Sequence, residues 1–122
     1  MILVDTSVWV DHLRVGDDVL ATLLNNSQAL MHPFVLGELA CGNLRNRERV
    51  LRLLKDLPHT ALATDDEVLF FIERHALMGR GMGYVDAHLL AAVMLGGAAR
   101  LWTRDKRLRA VAASLMLSYE KD

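Results

Sequence analysis

Asp5, Glu38, Asp86 and Asp105 carry the chemistry that this sequence offers. Each stands where the residue pattern changes. Met1-Ile2-Leu3-Val4 is a short apolar run that stops at Asp5. Such a run, bounded by polar residues, reads as a buried strand of a parallel sheet. Asp5 then sits at the carboxyl end of a central strand, the edge where open α/β sheets bind ligands. Asp105 follows a second strand-like run, Arg100–Thr103, and precedes a helix. Asp86 falls in the first turn of a helix that begins after Gly83. Glu38 lies on a helix where Phe34, Val35, Cys41 and Gly42 are its neighbours at one-turn spacing. A carboxylate on so apolar a surface calls for a partner or a metal ion.

Taken singly, Asp86 reads as a helix-start acid in a capping box, and Asp105 as an ordinary N-cap. Their shared position changes that reading. In a parallel α/β sheet, strand carboxyl ends and the following helix N-termini lie along one edge. Asp5, Asp86 and Asp105 are therefore candidates for one cleft, and the third helix can bring Glu38 over it. Carboxylates so gathered repel one another and raise their own pKa values unless a cation compensates. An all-oxygen set selects a hard ion, Mg²⁺ or Mn²⁺. Such an ion acidifies a bound water and clamps a phosphate for in-line displacement. The chemistry implied is hydrolysis of a phosphodiester.

The elements that must position these acids alternate along the chain. The pattern predicts a short helix from Thr6 to Arg14, with Thr6 or Ser7 as its N-cap and Gly16 as its end. A second helix starts at Asp17 or Asp18 and ends near Asn25-Asn26. Ala29-Leu30-Met31 is a short strand, and Pro33 opens a third helix that ends near Gly42. Arg45 to Leu57 is a helix with a basic exposed face, stopped by Pro58. Asp65 or Asp66 caps the next helix, which runs to about Met78. Gly79–Gly83 is a flexible connector, Tyr84–Leu95 a helix, Asp105–Ala113 the last helix and Leu115–Ser118 a last strand. The fold class is α/β, with a mostly parallel central sheet flanked by helices, in one domain over residues 1–122.

Composition limits the alternatives. A chain of 122 residues that is 52% hydrophobic fits one well-filled core. A net charge of −1 means that any nucleic-acid footprint is local. One cysteine, Cys41, fits a reducing cytoplasm and reads as a small core residue. No apolar run reaches the roughly 18 residues of a membrane span, and the N-terminus lacks a signal peptide's pattern.

Four motifs in order resemble the PIN domain, and specifically the VapC-like toxins of toxin–antitoxin pairs. They are Val4-Asp5-Thr6-Ser7; Leu36-Gly37-Glu38-Leu39 with Gly42; Tyr84-Val85-Asp86-Ala87 with Leu89; and Trp102-Thr103-Arg104-Asp105. The resemblance implies a Mg²⁺-dependent endoribonuclease with Asp5, Glu38, Asp86 and Asp105 as its acidic cluster. Thr6, Ser7 and Thr103 match supporting hydroxyl positions. It implies a homodimer, an RNA substrate and a VapB-like antitoxin that wraps the toxin. A PIN nuclease outside any toxin pair, or an inactive PIN-like scaffold, are the competing functions. Leu108 stands where many relatives carry Phe.

The other chemistry-bearing residues read more plainly. Gly79, Gly81 and Gly83 lack the strand and spacing of a dinucleotide loop. The five histidines show no metal-site spacing, and Asp11 reads as solvated. Basic residues gather on the helix from Arg45 to Lys55 and around Asp105. Arg80, Arg104 and Lys106 are the candidate contacts to RNA backbone. Apolar helix surface near Val8, Trp9 and the Leu51–Leu57 stripe is expected to join protein contacts.

Overall fold

Ile2–Val4 forms β1 because its branched side chains tolerate burial on both faces, and all three residues are buried. In the computed structural model, which describes residues 1–120, β1 is the centre of a three-stranded parallel sheet. β2 (Ala29–Leu30) pairs with one side of β1 and β3 (Arg100–Trp102) with the other. The register sets Ile2 beside Ala29 and Arg100, and Val4 beside Trp102. Single parallel bridges extend both edges, from Met31 to His59 and from Leu101 to Ser118. The expected last strand shrinks to that one bridge. Ala112–Met116 carbonyl and amide bonds turn the chain first, and Leu117 and Tyr119 then clasp Leu101.

Seven helices surround the sheet among the described residues: α1 (Thr6–Val15), α2 (Asp18–Asn25), α3 (Pro33–Ala40), α4 (Arg47–Lys55), α5 (Asp65–Arg74), α6 (Tyr84–Gly96) and α7 (Lys106–Ser114). None is long and apolar enough to cross a membrane. α6 is the innermost, with Ala87 through Val93 all buried. Its small residues let the helix lie close on the sheet.

Helix starts differ from expectation in instructive ways. Asp5, not Thr6 or Ser7, holds the N-cap position of α1, and it makes no capping bond. Those hydroxyls are drawn to other work. Thr64 caps α5, and Glu67 returns a bond to its amide, so Asp65 and Asp66 lie inside the first turn. α5 also stops at Arg74, four residues early. His32 caps α3 through Nδ1, which accepts the Phe34 amide at 3.0 Å. Arg47 closes the far end of α3 by donating to the carbonyls of Ala40 and Gly42, so one member of the basic α4 face is committed to structure.

Two burial expectations reverse. Cys41 is exposed just past α3. Val8 and Trp9 are 0% and 1% exposed, so they belong to the core and to no partner surface. The outward apolar residues of α1 are Val10, Leu13 and Val15, one step round the helix. Leu53 is the α4 residue that does project outward.

His32 is buried, and burial pushes its pKa down to about 4, with the charges of His88 and His59 adding to the effect. A folded pKa below the ordinary value of 6.5 stabilises the fold above pH 6.5. That stability is lost as pH falls toward 4. His32→Asn keeps a capping oxygen and removes the titration. Urea unfolding at several pH values is expected to show a shallower acid loss in the variant than in the wild type. Parallel pH profiles would remove His32 from the acid response.

Candidate active site

The carboxyl ends of β1 and β3 meet through side-chain oxygens. Asp5 is 7% exposed, and its Oδ2 accepts Ser7 Oγ at 2.9 Å and Thr103 Oγ1 at 2.7 Å. Each hydroxyl has one proton and gives it to Asp5. Each then accepts a backbone amide from the stretch after β3: Arg104 N–H on Ser7 at 3.0 Å, and Asp105 N–H on Thr103 at 3.1 Å. Asp105 is thus placed by hydroxyls that are themselves placed by Asp5. Asp105 Oδ1 in turn accepts the amides of Arg107 and Leu108 and caps α7.

The remaining acids are anchored in the same manner. Thr6 Oγ1, on α1, donates to Glu38 Oε1 on α3 at 2.6 Å. Gly83 N–H donates to Asp86 Oδ2 at 3.2 Å. So Asp86 bonds at N3 of α6 and Asp105 caps α7, in line with the conservative reading of each. A carboxylate has two oxygens. Among the described residues, the protein donors reach only one oxygen on each acid, leaving Asp5 Oδ1, Glu38 Oε2, Asp86 Oδ1 and Asp105 Oδ2 without a protein partner.

Electrostatics links all four. The Asp86 carboxyl is held above the usual carboxylate range. Burial is the largest cause, and the charges of Asp5, Asp105 and Glu38 add to it, while the Gly83 amide opposes it. The donor set is hard oxygen throughout, with hydroxyls and amides behind it to fix the carboxylates, which suits a Mg²⁺-like ion. Among the described residues no three His, Cys, Asp or Glu side chains are already drawn together around one point. An ion would have to draw like charges closer than they stand by themselves.

The sequence motifs found in the chain now have a shared location, and a PIN domain model matches residues 2–114. The chain is a VapC-like PIN domain. It is 54% identical over 113 residues to the protein named Ribonuclease VapC32 from two strains of Mycobacterium tuberculosis, covering 93% of this chain and 91% of that one. Leu108, on α7, is fully buried in the core.

The basic residues expected at the site fare differently. Arg80 and Lys106 are exposed. Arg104 is engaged within the PIN domain itself. Its guanidinium pairs with Asp11, and with Asp17 Oδ2 at 2.6 Å, and it lies over the Trp102 ring at 5.8 Å. Asp11 is therefore an ion-pair partner, and Asp17 caps α2 at the same time. This clamp joins the β3–α7 turn to α1 and α2. Sequence reading missed it because its partners are 93 and 87 residues away.

It also missed a hydrogen-bonded knot beside Asp86. Asp65 Oδ1 accepts Tyr84 O–H at 2.6 Å and lies 3.0 Å from His88 Nε2. The knot fixes the start of α6 to the start of α5. His88 is buried against Phe34 and Tyr84 rings, each 4.7–4.8 Å away, which matches a packing role.

A carboxyl whose folded pKa is raised contributes stability at low pH that is lost as pH rises through the shifted value. Ionised Asp86 therefore strains the metal-free fold above the ordinary value of 3.8. Asp86→Asn retains an oxygen for Gly83 and carries no charge. In EDTA near neutral pH the variant is expected to melt higher than the wild type, and the gain is expected to vanish below pH 3.8. A melting difference that does not change with pH would mean that Asp86 does not feel the other acids.

Proposed function

We propose that this PIN domain is a Mg²⁺- or Mn²⁺-dependent endoribonuclease toxin, held inactive by a VapB-like antitoxin. The observation that carries the reading is the unbonded oxygen on each of four mutually repelling, individually anchored carboxylates. Asp86 and Asp105 bond at helix starts while Asp5 and Glu38 cap none, so capping alone gives no reason to gather them. The name of the 54% identical relative supports RNA as substrate.

Asp5, Glu38, Asp86 and Asp105 would hold the ion. Bound there, it supplies positive charge to a phosphodiester and acidifies a water. The chain's own groups do the rest. Thr6, Ser7 and Thr103 keep the carboxylates aimed, since each donates its hydroxyl proton to one of them. Asp86, whose bond to the Gly83 amide leaves its other oxygen without a protein partner, would be one of the ion's ligands, and the attacking water would lose its proton to solvent. Water would add at phosphorus as the bond to the leaving oxygen breaks, and the leaving oxygen would take a proton from solvent. Arg80 and Lys106 lie outside the cluster and supply charge for the RNA backbone.

Partner surfaces fit the same reading. A groove of about 450 Å³ runs between α1, α3 and α4, and its lining includes Val10, Leu13, Leu44 and Val50 with Glu38, Arg14 and Arg45. An antitoxin segment lying there with a basic residue at its end would neutralise the acids. A second apolar groove between α5 and α6 carries Asp66 and Glu67 at one end and Arg74 and His75 at the other. Antiparallel α5 helices of two copies would match those charges, which supports a homodimer.

Replacing Asp5 by Asn keeps shape and removes one charge. With Mn²⁺ at a hundredfold excess over its Kd, the wild type should gain about 2.7 kcal/mol over the EDTA sample, and Asp5→Asn much less. RNA cleavage by the variant should fall by orders of magnitude. Equal metal shifts in the two proteins would contradict the metal site. Cleavage that persists in EDTA would contradict the mechanism.

A further inference from the structure

We propose that Arg107 seats the RNA backbone beside the acids, a role that rests on the nuclease reading above and assigns a residue that the motifs do not mark. Arg104, Lys106, Arg107 and Arg109 surround the β3–α7 turn. Two are neutralised within the protein. Arg104 pairs with Asp11 and Asp17, and Arg109 donates to Glu120 Oε2 at 2.6 Å. Among the described residues, Lys106 and Arg107 form no ion pair.

These two cations differ in how they are held. The Arg107 side chain lies across the backbone of Gly81. A Cβ added at Gly81 would come within 2.7 Å of Arg107 Cδ and 2.9 Å of Nη1. Gly81 also has φ +81°, which favours glycine there, and a side chain at this position would push the arginine aside. The Gly81 loop leads to Gly83, whose amide holds Asp86. At its other end, Arg107 gives its own backbone N–H to Asp105 Oδ1 at 2.9 Å. Arg107 thus spans the rim of the cleft from Asp105 to the loop that opens the Asp86 helix.

An exposed guanidinium at that place, paired with neither acid, fits a phosphate. Four carboxylates repel an approaching RNA strand, and a cation on the rim offsets that repulsion where the strand enters. The planar guanidinium can bond a phosphate through two N–H groups. Because its stem already rests on Gly81, less side-chain freedom is lost on contact. Lys106 has no such rest and contributes general attraction, while Arg107 fixes register.

The test separates binding from cleavage. In the Asp5→Asn background RNA stays intact, and a labelled single-stranded oligonucleotide can be titrated by fluorescence anisotropy over a salt series. Arg107→Met keeps the stem over Gly81 and removes the charge; Arg107→Gln is measured alongside in case the first variant melts early. Both are expected to weaken binding at low salt by about tenfold. Both should flatten the salt slope by about 1. Arg109→Met is expected to keep the parent slope. With Asp5 restored, Arg107→Met should lower kcat/KM for RNA cleavage, and Arg107→Lys should recover part of it. A parent slope in both Arg107 variants would overturn this assignment and leave the nuclease reading standing. RNA neither bound nor cleaved by the unsubstituted protein would overturn both.

Discussion

A buried carboxylate must be hydrogen-bonded, and the way Asp5 meets that demand organises this fold. Its donors are two hydroxyls from different parts of the chain, Ser7 on α1 and Thr103 after β3. Both hydroxyls pass the constraint on to backbone amides at 104 and 105. A single charge at the end of β1 therefore determines where β3 turns and where α7 begins. Replacing either hydroxyl with a methyl group would leave one backbone amide without a partner and remove one of the two bonds to Asp5 Oδ2, which is why Ser7 and Thr103 matter beyond their size.

The parts of this architecture that were legible in the sequence are the local ones. β1, β3, the Pro33 start of α3 and the Gly16 stop of α1 follow from runs, caps and breakers within a few residues. The four acids stood out because strand ends and helix starts share an edge in any parallel α/β sheet. The α5 start was also there to be read: Thr64-Asp65-Asp66-Glu67 is a capping box, but adjacent acids drew the boundary one residue inward. Trp9 was misplaced because one helical step separates the inner face of α1 from Val10 on the outer one. Arg104 could not be read at all, since nothing local distinguishes a clamped arginine from a free one.

A bond at a helix start and a place in an acidic cluster are compatible at Asp86 and Asp105. The alternatives looked exclusive only while each carboxylate was counted as one group. Counted by oxygens, each acid has one hand on the protein and one directed away. The same anchoring explains how like charges are kept near one another without an ion pair: the amides of Gly83, Arg107 and Leu108 carry the partial positive charge of helix N-termini.

The sheet's edges have a consequence of their own. Met31 gives its amide to Pro58 and receives that of Thr60, while Leu101 is clasped by Leu117 and Tyr119. The strands between are two or three residues long. A foreign extended peptide would find neither a free ladder nor a run long enough to build one. Among the described residues the sheet therefore offers little edge for strand addition or for edge-to-edge aggregation. Proteins that bind it must read its helices.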